Sequence, residues 1–499
     1  MTKPLCLPFT VRYEQDAFDR TKQSGLSMFK ANFAAWPRST HFWLLCAFLV
    51  FVFLTGGSAR NDAQSLAVLR PVSATMLGVA LCILNLEHIR AHKWLVTAAL
   101  TVISLVLLQL LPLSDGVRYL MSGNNLVEDI ARTTLTADTM RPISIAPLMT
   151  TNAIFALMTP LAVMILGIQL SREERFALLP VVITLALLSG LLGFLQALGS
   201  PGGILYLYQI TNTESAVGLF ANRNHQATLL AMLFPMLAVF ASANIGSKDQ
   251  GRIKSIAAIS LAAVLVPLIL VTGSRSGLLI GLIGIISALF LYKPRSSDRV
   301  KKAKGYRLNP LYLLAALSVI ALSALSILFS RAQAVQRLSG LDQDDDLRFK
   351  IWQPIIEIAA NFLPAGSGAG TFSSTYQVYE ARAQLGPTIV NQAHNDWLDY
   401  VLTTGYPGMV VVALAGIGFL NLAWQALRNP MKAGRSLQFS RLGAVIIFLV
   451  VIAALVDYAL RTPIIAAVFV ISLIWLKSIL EDRSSRKKFS NGVSVSQVS

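Results

Sequence analysis

The chain is poor in charged residues and in cysteine, and each shortage excludes a class of protein. Only 13% of its 499 residues are charged, whereas 55% are hydrophobic and the mean hydropathy is +0.61. This balance excludes an ordinary soluble globule and indicates an integral membrane protein. The three cysteines, Cys6, Cys46 and Cys82, form no spaced pair, which excludes a disulfide framework and a cysteine-based metal site.

The chain also lacks the alternating segments of about 10 residues that build membrane β-barrels. Its apolar runs are about 20 residues long, the length that a helix needs to cross a hydrocarbon core. The sequence therefore predicts an all-α polytopic membrane protein with about 12 transmembrane helices. The predicted spans are 41–57, 66–86, 93–113, 148–170, 176–198, 225–245, 255–272, 277–292, 310–330, 397–423, 441–460 and 462–477.

The net charge of +17 is distributed unevenly between the loops. It does not indicate nucleic-acid binding, because that would need a soluble domain with a basic face. If the N-terminus is cytoplasmic, 29 of the 42 Lys and Arg residues lie in inside segments, as the positive-inside rule expects. The prediction is a cytoplasmic N-terminal segment 1–40, a polytopic domain 41–477 and a cytoplasmic tail 478–499. A large outside loop, 331–396, precedes the tenth span.

Three outside stretches place an arginine near the start of a predicted helix. Arg223 lies in GLFANRNH, Arg275 lies in TGSRSG, and Arg348 lies with Lys350 in RFKIWQPIIEI. The start of a helix attracts anions, and the planar guanidinium can hold two phosphate oxygens at once. A single such arginine more often anchors a loop at the lipid headgroups. The recurrence of the pattern on one face favours a diphosphate-binding site.

His394 directly precedes the tenth span, in the sequence QAHNDWLDY. A histidine at the membrane boundary can be neutral near pH 7 and accept a proton from a sugar hydroxyl. Asp396 or Asp399 could orient it or act beside it, so His394 and Asp396 are the predicted catalytic pair. The alternative is a simple helix cap by Asn395 or Asp396 with His394 merely adjacent. His225 is a weaker candidate for the base.

The remaining polar features indicate no cofactor. The acidic run 342–346 resembles a metal-binding nucleotide-sugar motif, but on the outside face it is better explained as a solvated loop or a partner of Arg337 and Arg348. Asp457 and Arg461, four residues apart, are expected to pair with each other. The sequence contains no zinc ligand set, phosphate-binding P-loop or nucleophile elbow. We therefore expect neither a cofactor nor a metal.

In this order, GLFANRNH, the SRSG turn, the R…IW helix, the GSGAGTF run and HND-x-L resemble the O-antigen ligase and O-antigen polymerase superfamily. The resemblance covers roughly residues 180–425. It implies that 41–477 is a glycosyltransferase domain in the bacterial inner membrane, with loop 331–396 in the periplasm. The implied reaction moves a glycan from an undecaprenyl-diphosphate carrier to an acceptor hydroxyl, with inversion and without metal. The implied partners are a lipid-linked oligosaccharide donor, a glycan or lipid A-core acceptor and membrane lipids, with no nucleic acid.

The resemblance also assigns roles to residues of this chain. Arg223 and Arg275 match the arginines that are expected to hold the carrier diphosphate. His394 matches the loop histidine that is expected to activate the acceptor. Arg348 matches a loop arginine, which we group with the diphosphate-binding residues.

Two alternatives stay open. Within the superfamily, members ligate O-antigen in lipopolysaccharide biosynthesis, polymerise repeat units or extend exopolysaccharides, and the sequence does not choose among them. The alternative from another class is a transporter or flippase for a lipid-linked sugar. A transporter would place ionisable groups near the bilayer midplane, whereas Arg70 and Gln109 are the main polar residues inside the predicted spans.

Overall fold

The computed structural model describes residues 39–121, 130, 133, 134, 140–209, 212–243, 248–293, 343–382, 385, 389–428 and 434–495. Residues 248–250, 343–349 and 480–495 are described in their backbone only. The described chain forms helices and no β-strand, apart from an isolated bridge between Leu113 and Arg141. The helices are α1 Thr40–Thr55, α2 Gln64–Cys82, α3 Leu86–Ala91, α4 Lys93–Leu108, α5 Asp115–Met121, α6 Pro147–Ile168, α7 Arg172–Leu198, α8 Arg223–Ser242, α9 Lys248–Val271, α10 Arg275–Leu291, α11 Gln343–Asn361, α12 Phe372–Tyr379, α13 Asp396–Arg428, α14 Arg435–Val456 and α15 Pro463–Val495, with a 3₁₀ turn at Ala459–Arg461.

Eleven of these helices overlap eleven of the predicted spans. Seven are long and apolar enough to cross a membrane, namely α2, α6, α7, α8, α9, α13 and α14. Four are shorter apolar helices, Thr40–Thr55, Lys93–Leu108, Arg275–Leu291 and Pro463–Ile479. The predicted ninth span, 310–330, and residues 1–38 lie outside the described residues. The described chain is thus a polytopic all-α protein, as the composition predicts.

Helix α8 forms the centre of the bundle. Almost all of its side chains are buried, and it packs against α7, α9, α10 and α14. A helix that is apolar on all sides needs neighbours on all sides, so its sequence suits this central place. The hairpin of α14 and α15 and the pair α2 and α6 complete the main core.

Helices α8 and α10 run parallel and approach each other closely. A Cβ atom built on Gly277 would lie 2.3 Å from the Cβ of Ala227, and one on Gly284 would lie 2.6 Å from the carbonyl oxygen of Ala231. Small residues at such positions let two backbones meet in a membrane protein. The two helix starts are therefore held side by side.

Basic segments gather at one end of the bundle, at the turn before α4 and the starts of α7 and α14. Burial, followed by the charges of Lys477 and Arg175, lowers the pKa of His92 to about 3. His92 is therefore neutral, and its Nε2 lies 3.3 Å from Nη1 of Arg175. Arg435 forms an ion pair of 2.9 Å with Glu173. The charge count assigns these segments to one side of the membrane, the inside, and that assignment stays a prediction.

The described part of the predicted outside loop contains helices of its own. α11 and α12 pack with the start of α13 in a second core, in which Phe372 and Tyr376 are each 1% exposed. Backbone N–H groups of Ser367 and Gly368 donate to the carbonyls of Leu402 and Thr403, each at 3.0 Å. The loop is thus attached where α13 breaks, at a glycine with φ +57°, Gly405.

Candidate active site

The two predicted arginines are the first residues of the parallel helices α8 and α10. Asn222 caps α8, and its side chain accepts from the backbone N–H of Asn224 at 2.9 Å. Ser274 caps α10, and its hydroxyl accepts from the backbone N–H of Gly277 at 2.9 Å. Both caps fix the guanidinium-bearing residue at the positive end of a helix. Arg223 and Arg275 are both partly buried.

A direct hydrogen bond joins these two helix starts. The hydroxyl of Ser274 donates to Oδ1 of Asn224 at 2.7 Å. Each partner is the sequence neighbour of one of the arginines, so Arg223 and Arg275 lie in the same part of the molecule. The arrangement provides two cationic side chains and two helix N-termini for a polyanion such as a diphosphate.

His394 faces a carboxylate that sequence reasoning did not connect with it. Its Nδ1 lies 3.3 Å from Oδ1 of Asp457, which follows the end of α14. Asp457 is 3% exposed, whereas His394 is 26% exposed. When Nδ1–H donates to this carboxylate, Nε2 carries the lone pair and can accept a proton. The backbone of His394 has φ +48°, a region that residues with side chains rarely adopt and that is often found at functional sites.

Asp457 is also held by α8. The side-chain amides of Asn222 and Asn224 donate to its Oδ2 at 3.0 Å and 2.7 Å. The backbone N–H of Tyr458 donates to its Oδ1 at 2.9 Å. A buried carboxylate with several donors stays in one orientation. The histidine and the arginine-bearing helices therefore share one network.

Asp396 and Asp399, the carboxylates first expected beside His394, bind Arg461. Nε of Arg461 donates to Oδ1 of Asp396 at 2.9 Å, and its Nη2 lies 2.6 Å from Oδ1 of Asp399. Burial alone would lower the pKa of Arg461, but the charges of Asp399 and Asp396 raise it, so the guanidinium stays cationic. The expectation that Arg461 pairs with Asp457 is corrected, because tertiary contacts with α13 prevail over sequence spacing.

Asn395 caps the start of α13. This helix cap is the alternative that the sequence left open for the motif that contains His394. Oδ1 of Asn395 accepts from the backbone N–H groups of Trp397 and Leu398 at 3.0 Å and 3.2 Å. This cap and the contact between His394 and Asp457 coexist. The cap fixes the backbone from which the histidine projects.

His225 occupies an interior position beside the same carboxylate. Its Nδ1 lies 2.8 Å from the hydroxyl of Thr462, and its Nε2 lies 3.9 Å from Oδ2 of Asp457. The ring of Tyr458 packs edge-on against His225 and His394, with centroid distances of 5.0 Å and 5.2 Å. His225 is 1% exposed, so His394 is the histidine that an acceptor can reach.

Arg348 lies on α11, one helical turn before Trp352. The indole N–H of Trp352 donates to the carbonyl oxygen of Ala393 at 3.3 Å, which attaches α11 beside His394. The side chain of Arg348 is outside the described part of the chain, and so are those of the acidic run 342–346. Where side chains are described, no group of three or more His, Cys, Asp or Glu residues is arranged to hold a metal ion.

Asp457, Asn222 and Asn224 are the site residues whose roles sequence reasoning missed. A carboxylate at the end of an apolar span is unusual, and this signal could have marked Asp457 as a functional candidate. Its partner could not be read from the sequence, because 63 positions separate it from His394.

Comparison with known proteins bears on the second half of the chain. Residues 257–413 match the family model described as O-antigen ligase. The matched segment contains Arg275 and His394, whereas Arg223 and Asp457 lie on either side of it. No curated protein matches the chain. The predicted resemblance to the O-antigen ligase and polymerase superfamily is thereby confirmed on residues 257–413.

Proposed function

We propose that this protein is a membrane glycosyltransferase that moves a glycan from an undecaprenyl-diphosphate carrier to an acceptor hydroxyl on the periplasmic face. The observation that carries the proposal is the shared network of His394, Asp457 and the starts of α8 and α10. Because this network joins His394 to the helix starts that carry Arg223 and Arg275, it supports a base and a diphosphate site at the same end of the bundle. An O-antigen ligase match over residues 257–413 supports the same class of reaction.

The proposed step is a single displacement at the anomeric carbon. Nε2 of His394 takes the proton of the acceptor hydroxyl while its oxygen forms the new glycosidic bond. The bond between the anomeric carbon and the diphosphate oxygen breaks, and the diphosphate leaves with the electron pair. One displacement from the opposite face inverts the configuration. Asp457 holds the tautomer of His394 and stabilises the imidazolium that forms.

Arg223 and Arg275 stabilise the leaving diphosphate. Negative charge accumulates on its oxygens in the transition state, and fixed donors aimed at that charge are usually the largest contribution to catalysis. Two guanidinium groups and two helix N-termini supply the positive charge, so the proposed mechanism uses no metal. Arg348 is proposed as a further diphosphate contact. Asp396 is proposed to act indirectly, by holding Arg461 at the start of α13, two residues after His394.

The carrier chain is proposed to lie in an apolar groove between α7 and α9. The groove has a volume of about 440 Å³ and is not fully enclosed. Its lining is apolar except for Thr184, and it includes Pro267 and Leu268, which lie near the end of α9. Arg275 follows after a short turn, so a polyprenyl chain in the groove would place its diphosphate close to the arginines.

The proposed location is the inner membrane, with both termini in the cytoplasm. The basic turns before α4, α7 and α14 then lie inside, and the network of His394 lies outside. This orientation matches the positive-inside rule. It also keeps the reaction on the side where a flipped lipid-linked glycan is available.

The experiment is reconstitution of purified protein with a labelled undecaprenyl-diphosphate glycan and no nucleotide sugar. Lipid A-core and a second copy of the carrier-linked glycan serve as acceptors in separate vesicles. A single product on lipid A-core identifies a ligase, whereas a ladder of longer chains identifies a polymerase. Movement of the label between leaflets without any product contradicts the proposal and supports a flippase.

A further inference from the structure

Asn224 uses both ends of its side chain inside the network. Its amide nitrogen donates to Oδ2 of Asp457 at 2.7 Å, and its carbonyl oxygen accepts from the hydroxyl of Ser274 at 2.7 Å. The residue is 5% exposed. A short neutral side chain that both donates and accepts is required at this position, and asparagine supplies it.

The contacts of Asn224 connect the base to the second arginine. His394 bonds Asp457, Asp457 bonds Asn224, Asn224 bonds Ser274, and Ser274 caps the helix that begins at Arg275. Every link is a hydrogen bond between 2.7 Å and 3.3 Å. A movement of α10 is therefore transmitted to the carboxylate that orients the base.

The backbone of Asn224 is fixed as well. Its N–H donates to Oδ1 of Asn222 at 2.9 Å, and its carbonyl oxygen accepts from the hydroxyl of Thr228 at 2.8 Å. The side chain thus has little freedom to leave the network without breaking the start of α8. It transmits a displacement of one partner to the other.

We infer that Asn224 is a positioning residue that couples the diphosphate site to the alignment of His394. The inference rests on the proposed function. In the coupled state, a diphosphate bound at the starts of α8 and α10 also fixes Asp457, and so directs Nε2 of His394 toward the acceptor. A donor that fails to order these helix starts leaves the base poorly aligned.

Substitution of Asn224 by aspartate tests the link through charge. The new carboxyl would lie beside Asp457 and would add a second negative charge once it ionises. This charge favours the protonated imidazole of His394, which cannot act as a base. A rise in pH works against that protonation, so the loss of activity is largest at low pH and becomes smaller as the pH rises.

Other charged or titratable groups near this pair come from every neighbouring element. They are Arg223 and His225 on α8, Arg275 on α10, His394 and Asp396 at the start of α13, and Tyr458 after α14. Each is present in both the wild type and the variant. A difference between the pH profiles of the wild type and of Asn224→Asp therefore reports the added carboxyl.

The experiment compares the transfer rate of Asn224→Asp, Asn224→Ala and wild type from about pH 6 to about pH 8.5. We expect the ratio of Asn224→Asp to wild type to rise as the pH rises, by up to about tenfold for each pKa unit by which the added charge favours the protonated ring. Asn224→Ala should be about tenfold or more below wild type at every pH, with a ratio that does not change. The matched control is Asn152→Asp, which places the same new charge beside Arg70 and should follow the wild type.

A second readout does not depend on transfer. Diethylpyrocarbonate reacts with neutral imidazole, so its rate at His394, read by mass spectrometry of the peptide, reports the charge of the ring. We expect Asn224→Asp to slow this reaction relative to wild type at about pH 6, and Asn152→Asp to leave it unchanged. Wild-type protein that transfers no glycan would contradict the proposed function, while this readout would still decide on Asn224.

Three results would overturn the inference. They are a pH-independent ratio for Asn224→Asp equal to that of Asn224→Ala, a wild-type profile for Asn224→Asp, and wild-type transfer by Asn224→Ala. If Asn224→Asp does not accumulate, Ser274→Ala provides the test, because it removes the link to α10 and leaves the link to Asp457. It should raise the KM for the donor about threefold or more and keep a pH profile parallel to wild type. An unchanged KM would contradict the coupling.

Discussion

Asp457 is the residue on which the chemistry of His394 depends. It lies 63 positions from the histidine in sequence and 3.3 Å from it in space. A carboxylate in this position fixes which ring nitrogen carries the proton and stabilises the imidazolium during proton transfer. Its own orientation depends on two asparagines of α8. The base is thus defined by three elements rather than by the His-Asn-Asp motif alone.

Replacing Asp457 by asparagine should impair the chemical step more than donor binding. Asparagine keeps the size of the side chain but removes the charge that stabilises the imidazolium. We expect kcat to fall about hundredfold and the KM for the donor to change less than about threefold, as measured by steady-state transfer in proteoliposomes. Asp62→Asn, which removes a carboxylate from an exposed ion pair with Arg60, is the control. An unchanged kcat for Asp457→Asn would show that the contact has no catalytic role.

Lysine at position 275 should rescue the arginine only in part. Lysine keeps the positive charge at the start of α10 but cannot contact two phosphate oxygens through one planar group. We expect kcat/KM for the donor to fall roughly tenfold in Arg275→Lys and further in Arg275→Ala, which loses the charge as well. Arg60→Lys tests the same exchange outside the helix starts and should have little effect. Equal activity of Arg275→Lys and Arg275→Ala would contradict the expected partial rescue by the positive charge of lysine.

Sequence reasoning recovers the residues that local motifs define and misses those that tertiary contacts define. Arg223, Arg275 and His394 could be singled out because each stands next to capping residues at a span. Arg461 was expected to pair with Asp457, four positions away, but in the structure it pairs with Asp396 and Asp399. Spacing along a helix fails here because α14 ends before Arg461.

At the scale of elements, the parallel pair α8 and α10 sets the distance between the two arginines. The pair is packed so closely that a single methyl group on Gly284 would meet the backbone of α8 at 2.6 Å. Close packing of this kind leaves no room for adjustment. The positions of the two helix starts therefore depend on glycines far from the site.

Gly284→Ala should destabilise the protein although alanine favours helices. The added Cβ forces α10 away from Ala231, and overpacking of this kind costs about 1–3 kcal/mol. Gly418→Ala on α13 meets nothing within 4 Å and should gain up to about 1 kcal/mol from helix propensity. Thermal unfolding in detergent should show a lower Tm for Gly284→Ala and an equal or higher one for Gly418→Ala. The reverse order would contradict the close approach.

Filling the groove between α7 and α9 should weaken the binding of long carriers. Leu191 lines the groove and is 53% exposed, so a tryptophan there can be placed without disturbing the core. We expect Leu191→Trp to raise the KM for a long polyprenyl-diphosphate donor about threefold or more and to affect a short-chain donor less. Leu195→Trp, one turn further along α7 and outside the groove lining, is the control. Equal effects on long and short donors would exclude the groove as the carrier site.

The helices themselves were predictable, but their interruptions were not. Each of eleven apolar runs became a helix because backbone groups in a membrane must bond within their own segment. The break of α13 at Gly405 could not be read from hydropathy, since Pro364, Ala365 and Gly366 lie against it only in the folded loop. The packing of α11 and α12 could not be read from hydropathy either, because it depends on aromatic contacts within the loop.

At the scale of the whole molecule, the basic segments and the network of His394 lie at different ends of the bundle. The turn at His92 and the starts of α7 and α14, which carry Arg175 and Arg435, meet at one end, whereas the network of His394 forms at the other. The charge count could predict this division because each crossing reverses the side of the next loop. It could not predict that three separate helix ends converge on Asp457.

The most direct test of the central claim is glycan transfer by purified protein in the presence of EDTA, with wild type compared with His394→Gln. Both proteins are reconstituted at equal amounts with the labelled undecaprenyl-diphosphate glycan and the acceptor that the wild type uses. We predict full transfer by the wild type with EDTA and a loss of about hundredfold or more in His394→Gln, because glutamine cannot take the proton. Transfer by His394→Gln at the wild-type rate, or loss of wild-type transfer with EDTA that added Mg²⁺ restores, would contradict the claim.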